Sequence, residues 1–150
     1  MLFLQRTLTL PAFSNGIFSN RMRMITREIV ETMPEIRELD CGMLNIFLQH
    51  TSASITINEN ADPDVQQDIQ MALGKIIPDA LPYKHTLEGQ DDMPAHIKSS
   101  MVGVSVNIPI GRGRLLLGTW QGIYLCEHRR TAHRRSIVLT VWGKKRNNIE

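Results

Sequence analysis

Leu2, Leu4, Leu8 and Leu10 alternate with Gln5, Thr7 and Thr9, the period of a half-buried β-strand, which Pro11 ends. A turn signal at Ser14-Asn15-Gly16 leads to a second extended stretch, Ile17 to Ile25. Thr26 ahead of Arg27-Glu28-Ile29-Val30 then predicts a capped helix that stops near Pro34. From Cys41 to Leu48 both strand faces are apolar, Met43 and Phe47 on one, Leu44, Ile46 and Leu48 on the other. Such a strand is expected to be covered twice, by a second layer or by another subunit. The pattern breaks at Gln49-His50-Thr51-Ser52, and Ala53, Ile55 and Ile57 then alternate with Ser54, Thr56 and Asn58.

The clearest helix follows, with Asp62 as cap, Pro63 at the first helical position, and an apolar stripe of Val65, Ile69, Leu73 and Ile76. Tyr83 to Lys98 carries two imidazoles, three carboxylates and two ammonium groups. So polar a run cannot be a core strand. It reads as a loop entering a helix, with Asp92 or Met93 capping and Pro94 in the first turn. Val104, Val106, Ile108 and Ile110 form a strand with one buried face, and Gly111-Arg112-Gly113 can turn a hairpin. Leu115 to Trp120, Gln121 to His128 and Ile137 to Trp142 are further strands. Short strands arriving in hairpins, with two or three helices, predict an α+β fold with mainly antiparallel sheets.

At 150 residues, 42% hydrophobic and 21% charged, the chain has the composition of one ordinary soluble domain, which excludes wholesale disorder. No apolar run is long enough to cross a bilayer, and Met1 to Arg6 lacks the features of a signal peptide. The expected location is the cytoplasm, with no membrane partner. Cys41 and Cys126 lie in apolar runs and are expected to be buried free thiols. A net charge of +2 is too small to identify a nucleic-acid binder. Arg129, Arg130, Arg134, Arg135, Lys144, Lys145 and Arg146 nevertheless crowd the C-terminal end, either as a phosphate-receiving cluster or as a solvated surface.

Four of the five histidines, His50, His85, His96 and His128, stand beside polar groups at the ends of apolar elements, where a scaffold can hold reactive groups within reach of solvent. Near the N-terminus of its helix, His96 should be a neutral ring able to bind metal, and a turn at Glu88-Gly89 would return His85 to it. The expected cluster brings His85, His96 and His128 onto a divalent cation, magnesium or zinc, with a carboxylate nearby. Asp92 and Glu127 are the carboxylates to test as acid, base or metal partner, and His50 is a further catalytic candidate. The plain alternatives are that Asp92 caps a helix, Glu127 pairs with an arginine, and the imidazoles satisfy buried partners. Thr51, Ser52 and Ser54 either bind substrate or close a turn. Trp120 and Tyr124 either stack a heterocycle or pack the core.

Gln49 to Ser54, Asn58 to Asp64, His85 through Asp91-Asp92-Met93-Pro94-Ala95-His96-Ile97-Lys98, and Gly118 to Leu125 with Glu127-His128-Arg129 together resemble the YjbQ family of small bacterial and archaeal proteins. The resemblance runs from the first strand to about Gly143, one domain over 1–143, and leaves 144–150 as a basic tail. It implies a compact α+β protein with a two-layer, β-sandwich-like core, assembled as a homotrimer. It also implies a secondary thiamine-phosphate synthase, which joins hydroxymethylpyrimidine diphosphate to thiazole phosphate and releases pyrophosphate. On that view His85, His96 and His128 hold metal, Lys98 and Arg129 meet phosphate, and Thr51, Ser52 and Gln121 orient small phosphorylated heterocyclic substrates. The alternative is a non-catalytic module that binds a metal or phosphate ligand and regulates another protein.

Overall fold

The computed structural model describes residues 1–12 and 21–147, so the predicted turn at Ser14-Asn15-Gly16, the extended residues 17–20 and positions 148–150 of the tail lie outside the described residues. The α+β class expected from the pattern is the one found. β1 (Leu2–Leu10), β8 (Arg135–Lys145), β3 (Leu39–Leu48), β5 (Ser105–Gly111) and the short β6 (Arg114–Leu115) lie side by side in that order. β2 (Met22–Met24), β7 (Gln121–Glu127) and β4 (Ala53–Glu59) make a second sheet. Every pairing is antiparallel.

The two sheets face each other across one core. Leu44, Ile46, Leu139 and Val141 of the larger sheet meet Ala53, Ile55, Ile123 and Leu125 of the smaller, and burying each aliphatic side chain contributes about 1.5–3 kcal/mol. Ile29 of α1 (Thr26–Thr32) enters the same core between the fully buried Ile25 and Met33, and a 3-10 turn over Pro34–Glu38 carries the chain on to β3. Thr26 is not the predicted cap: its hydroxyl accepts from the Ile123 amide at 2.9 Å and so fastens the helix to β7.

Within this chain β3 is covered on one side only. Leu44, Ile46 and Leu48 are buried, yet Met43 is only half-buried and Phe47 is 46% exposed. No described element of this chain covers that outer face, where Phe3, Trp142, Met43 and Pro109 stand in register across four strands. Likewise Cys126 is a buried thiol, pushed up to about 12 by burial, whereas Cys41 is exposed. Both are free.

The predicted strand 115–120 leaves the sheet after Leu115. The chain must cross to the other sheet there, and a turn closes it: Gln121 N–H donates to the Gly118 carbonyl at 3.0 Å, and Gly118 N–H to Gln121 Oε1 at 2.8 Å. α2 (Pro63–Ile76) starts as its sequence predicts, with Asp62 Oδ1 accepting from Asp64 N–H at 2.9 Å. It lies shallowly, since Val65, Ile69 and Leu73 are half-buried and Ile76 is 64% exposed. α3 (Asp92–Val102) is docked more firmly, with Ser99 Oγ donating to the Ala53 carbonyl at 2.7 Å and Gly103 accepting from Ile55 N–H at 3.0 Å. Neither Asp92 nor Met93 caps α3: Asp92 is its first residue and Asp91 precedes it without a side-chain cap. Both carboxylates are drawn instead into the site described next.

Candidate functional site

Antiparallel pairing sets Ala53 opposite Glu127, which brings the end of β7 against the Gln49 to Ser52 bend, and α3 packs on the same bend. The loop from Tyr83 to Asp91 folds back over the start of α3. Its turn needs Gly89, which has φ +107° and where a Cβ would lie 3.0 Å from Asp91 Oδ1. The consequence is that His85, eleven residues before His96 in the chain, lies beside it with ring centroids 5.5 Å apart.

Between them stands Asp92, whose side chain is 5% exposed. Its Oδ2 is 2.6 Å from His85 Nε2 and 3.0 Å from His96 Nε2, and its Oδ1 accepts from Arg129 Nη1 at 2.8 Å. Burial alone would raise this carboxyl, but the His85 hydrogen bond and the His96 and Arg129 charges outweigh it and hold Asp92 below the usual carboxylate range. One ligand atom from each of His85, Asp92 and His96 lies within 4.8 Å of the other two.

The protonation of His96 follows from its neighbours. Its Nδ1 is 2.7 Å from the Thr51 carbonyl oxygen, which can only accept, so Nδ1 carries a proton. Nε2 then faces Asp92 Oδ2 either as the N–H of an imidazolium or as a bare lone pair. Two lone pairs 3.0 Å apart repel each other unless a cation lies between them. The donor set therefore calls for a positive charge, supplied by a proton or by a metal ion. A backbone carbonyl fixing the far nitrogen of a ring is also how metal-binding imidazoles are commonly oriented.

His128 does not join this group. Its Nε2 is 2.7 Å from Ser54 Oγ, and burial, with help from the Lys98 and Arg135 charges, pushes the ring down to about 4. It lines a separate cavity of about 230 Å³ with Lys98, Arg21, Arg130, Asp79 and Asp91. Burial, opposed by Asp79 and reinforced by Arg21 and Arg130, also lowers Lys98. Arg129 is the bridge between cavity and cluster. It uses Nε on Asp91 at 3.0 Å, Nη1 on Asp92, and Nη2 on the Glu88 carbonyl at 2.9 Å. It holds the site's carboxylates in place, and three of its five N–H donors are thereby committed.

Glu127 takes the plain alternative as well. Buried with Arg135, it receives Arg135 Nε at 2.7 Å and Nη2 at 2.5 Å, and the Arg129 amide at 3.1 Å. His50 accepts from Ser136 N–H through Nε2 at 2.8 Å, so that nitrogen is not an available base, and burial lowers its pKa. Thr51 and Ser52 act as supports: Thr51 through its carbonyl on His96, Ser52 through Oγ and carbonyl on Arg135 at 3.1 and 3.2 Å. Gln121 closes its own turn at the far end of β7 from Glu127, about 20 Å away at some 3.3 Å per residue. Tyr124 is buried with its hydroxyl on the Glu59 carbonyl, while Trp120 is 63% exposed.

Arg135, Ser54 and Arg21 are structural surprises. Arg135 had a legible signal, because it lies two residues before Ile137 on the inward side of β8. Ser54 had the opposite signal: its polar alternation predicts exposure, yet it is fully buried against His128. Arg21 had none.

A family model described as UPF0047 protein YjbQ-like matches residues 17–144. The chain is 45% identical over 140 residues to the UPF0047 protein YjbQ of Escherichia coli O157:H7, covering 93% of this chain and 98% of that one. It is 46% identical over 121 residues to a UPF0047 protein of Methanocaldococcus jannaschii, with 81% and 84% covered. Among solved structures, an uncharacterized YjbQ/UPF0047 protein from Clostridium acetobutylicum superposes with a TM-score of 0.77 at 39% identity, over 93% of this chain and 99% of that one. A protein of unknown function from Sulfolobus solfataricus shares the fold, with a TM-score of 0.80 at 22% identity over 95% and 99%.

Proposed function

The chain belongs to the UPF0047 or YjbQ-like family, and on that premise we propose that it is a cation-assisted transferase of small phosphorylated heterocycles, of the secondary thiamine-phosphate synthase type. The observation that carries this reading is the pairing of His96 Nε2 with Asp92 Oδ2 at 3.0 Å while His96 Nδ1 is committed to Thr51. His85, Asp92 and His96 would hold the metal, and two imidazoles with one carboxylate favour zinc over magnesium, whose preferred ligands are all oxygens. When bound, such an ion supplies charge neutralisation for a departing pyrophosphate.

The residues around it have separate tasks. Arg129 keeps Asp91 and Asp92 ionised and oriented. The buried Glu127–Arg135 pair fixes the Ser52 bend, and with it the Thr51 carbonyl that sets the His96 tautomer. An open groove of about 750 Å³ reaches His96 from the side of His50, Thr51 and Ser100, and offers a way in for substrate. One observation favours the non-catalytic alternative: Asp91, Asp92 and Glu127 are each already bonded to a guanidinium or an imidazole. The two are separated by measuring turnover of hydroxymethylpyrimidine diphosphate and thiazole phosphate with and without zinc. Zinc-dependent product formation that His85→Ala abolishes is the expected result. Stoichiometric zinc binding without turnover would give the case to the binding module.

A further inference from the structure

The carboxylates around the 230 Å³ cavity are spoken for, whereas two of its cations are not. Asp79 pairs with Arg130, Asp91 accepts from Arg129 Nε and the Arg130 amide, and Glu127 is locked to Arg135. Arg21 gives Nη1 and Nη2 to the Arg129 and Arg130 carbonyls, neutral partners that position the guanidinium without cancelling its charge. Lys98 has no carboxylate within ion-pair distance among the described residues. Two positive charges without a carboxylate in contact, eased at longer range by Asp79 and Asp91, are costly to keep together on the wall of a half-enclosed cavity, and an anion joining them lowers that cost.

We infer that this cavity is an anion subsite, in which the Lys98 ammonium and the Arg21 guanidinium take a phosphoryl group and the His128 ring serves as a neutral hydrogen-bond partner. Ser54 occupies His128 Nε2, which leaves the other ring nitrogen for a ligand. Met22, Leu73 and the protonated thiol of Cys126 also line the cavity, which suits it to a short apolar or heterocyclic stem. Two free cations match the charge of a phosphate monoester dianion better than that of a carboxylate. The subsite rests on the proposed function only in naming the anion a phosphate; the two cations without a contacting carboxylate stand without any metal.

The test is calorimetric titration of the chelator-treated protein with inorganic phosphate, and with acetate for comparison. Saturable phosphate binding is expected, weakened about tenfold or more in Lys98→Gln and in Arg21→Gln, as the loss of one charge-assisted hydrogen bond implies. Lys98→Arg, which keeps the charge, and His85→Ala, which removes a cation ligand, should both retain it. Circular dichroism checks that each variant folds; should Arg21→Gln fail, Lys98→Gln carries the test. Phosphate binding that is absent from the wild type, no stronger than acetate, or unchanged in Lys98→Gln would overturn the assignment. Phosphate binding intact in a protein that takes up no zinc would instead sink the cation reading and leave the subsite standing.

Discussion

Replacing Asp92 by Asn removes one negative charge from a nearly buried position while keeping the shape of the side chain. In the native site this carboxylate faces two imidazole nitrogens, at 2.6 and 3.0 Å, and one guanidinium nitrogen at 2.8 Å. The new amide can turn its N–H₂ towards His96 Nε2, whose lone pair would then have a donor and no longer need a cation. Changes to groups that merely support a metal ligand cost 10- to 100-fold in affinity, so losing an anionic ligand should cost about 100-fold or more, about 2.7 kcal/mol. Folding should suffer less, by about 1–2 kcal/mol, because Arg129 keeps Asp91 and the Glu88 carbonyl. Competition titration with a zinc chelator measures the first quantity and urea unfolding of the chelator-treated protein the second. Zinc affinity equal in Asp92→Asn and wild type would rule out Asp92 as a cation ligand, as would a variant that loses zinc only because it is unfolded.

Three further outcomes follow from particular groups. Arg135→Met leaves the Glu127 carboxylate buried, with only the Arg129 amide as partner, and should lower unfolding free energy by about 3–5 kcal/mol; a loss under 1 kcal/mol in urea titrations would contradict that. His128 has an ordinary value of 6.5 lowered to about 4, so between those pH values the unfolded chain binds the extra proton and stability falls as pH drops. The full effect is about 3 kcal/mol, and His128→Gln should flatten the stability profile between pH 6.5 and 4; an equally steep profile in the variant would dismiss it. If a homotrimer forms through the open face of the larger sheet, where Phe3 is 75% and Phe47 46% exposed, then Phe47→Glu should sediment as a monomer. A wild type already monomeric at tens of micromolar would end that expectation.

Local signals were enough for most of the elements, because hydrophobic period and proline position act over a few residues, but not for the caps expected at Thr26 and at Asp92 or Met93, nor for a strand running on to Trp120. The leucine alternation of β1, Asp62-Pro63 at the start of α2 and the Gly111-Gly113 turn all appear where the chain predicts them. The family motifs likewise marked His85, Asp92 and His96. The sequence did not reveal which of several similar groups would meet, since this depends on strand register and on helix docking. Opposing Ala53 to Glu127 puts His128 against Ser54 rather than with the other rings, and Gln121 falls at the far end of the same strand. Burial decided charge as well. Once Arg129, Arg130 and Arg135 had claimed the carboxylates within reach, Lys98 and Arg21 were left facing a cavity with no carboxylate in contact.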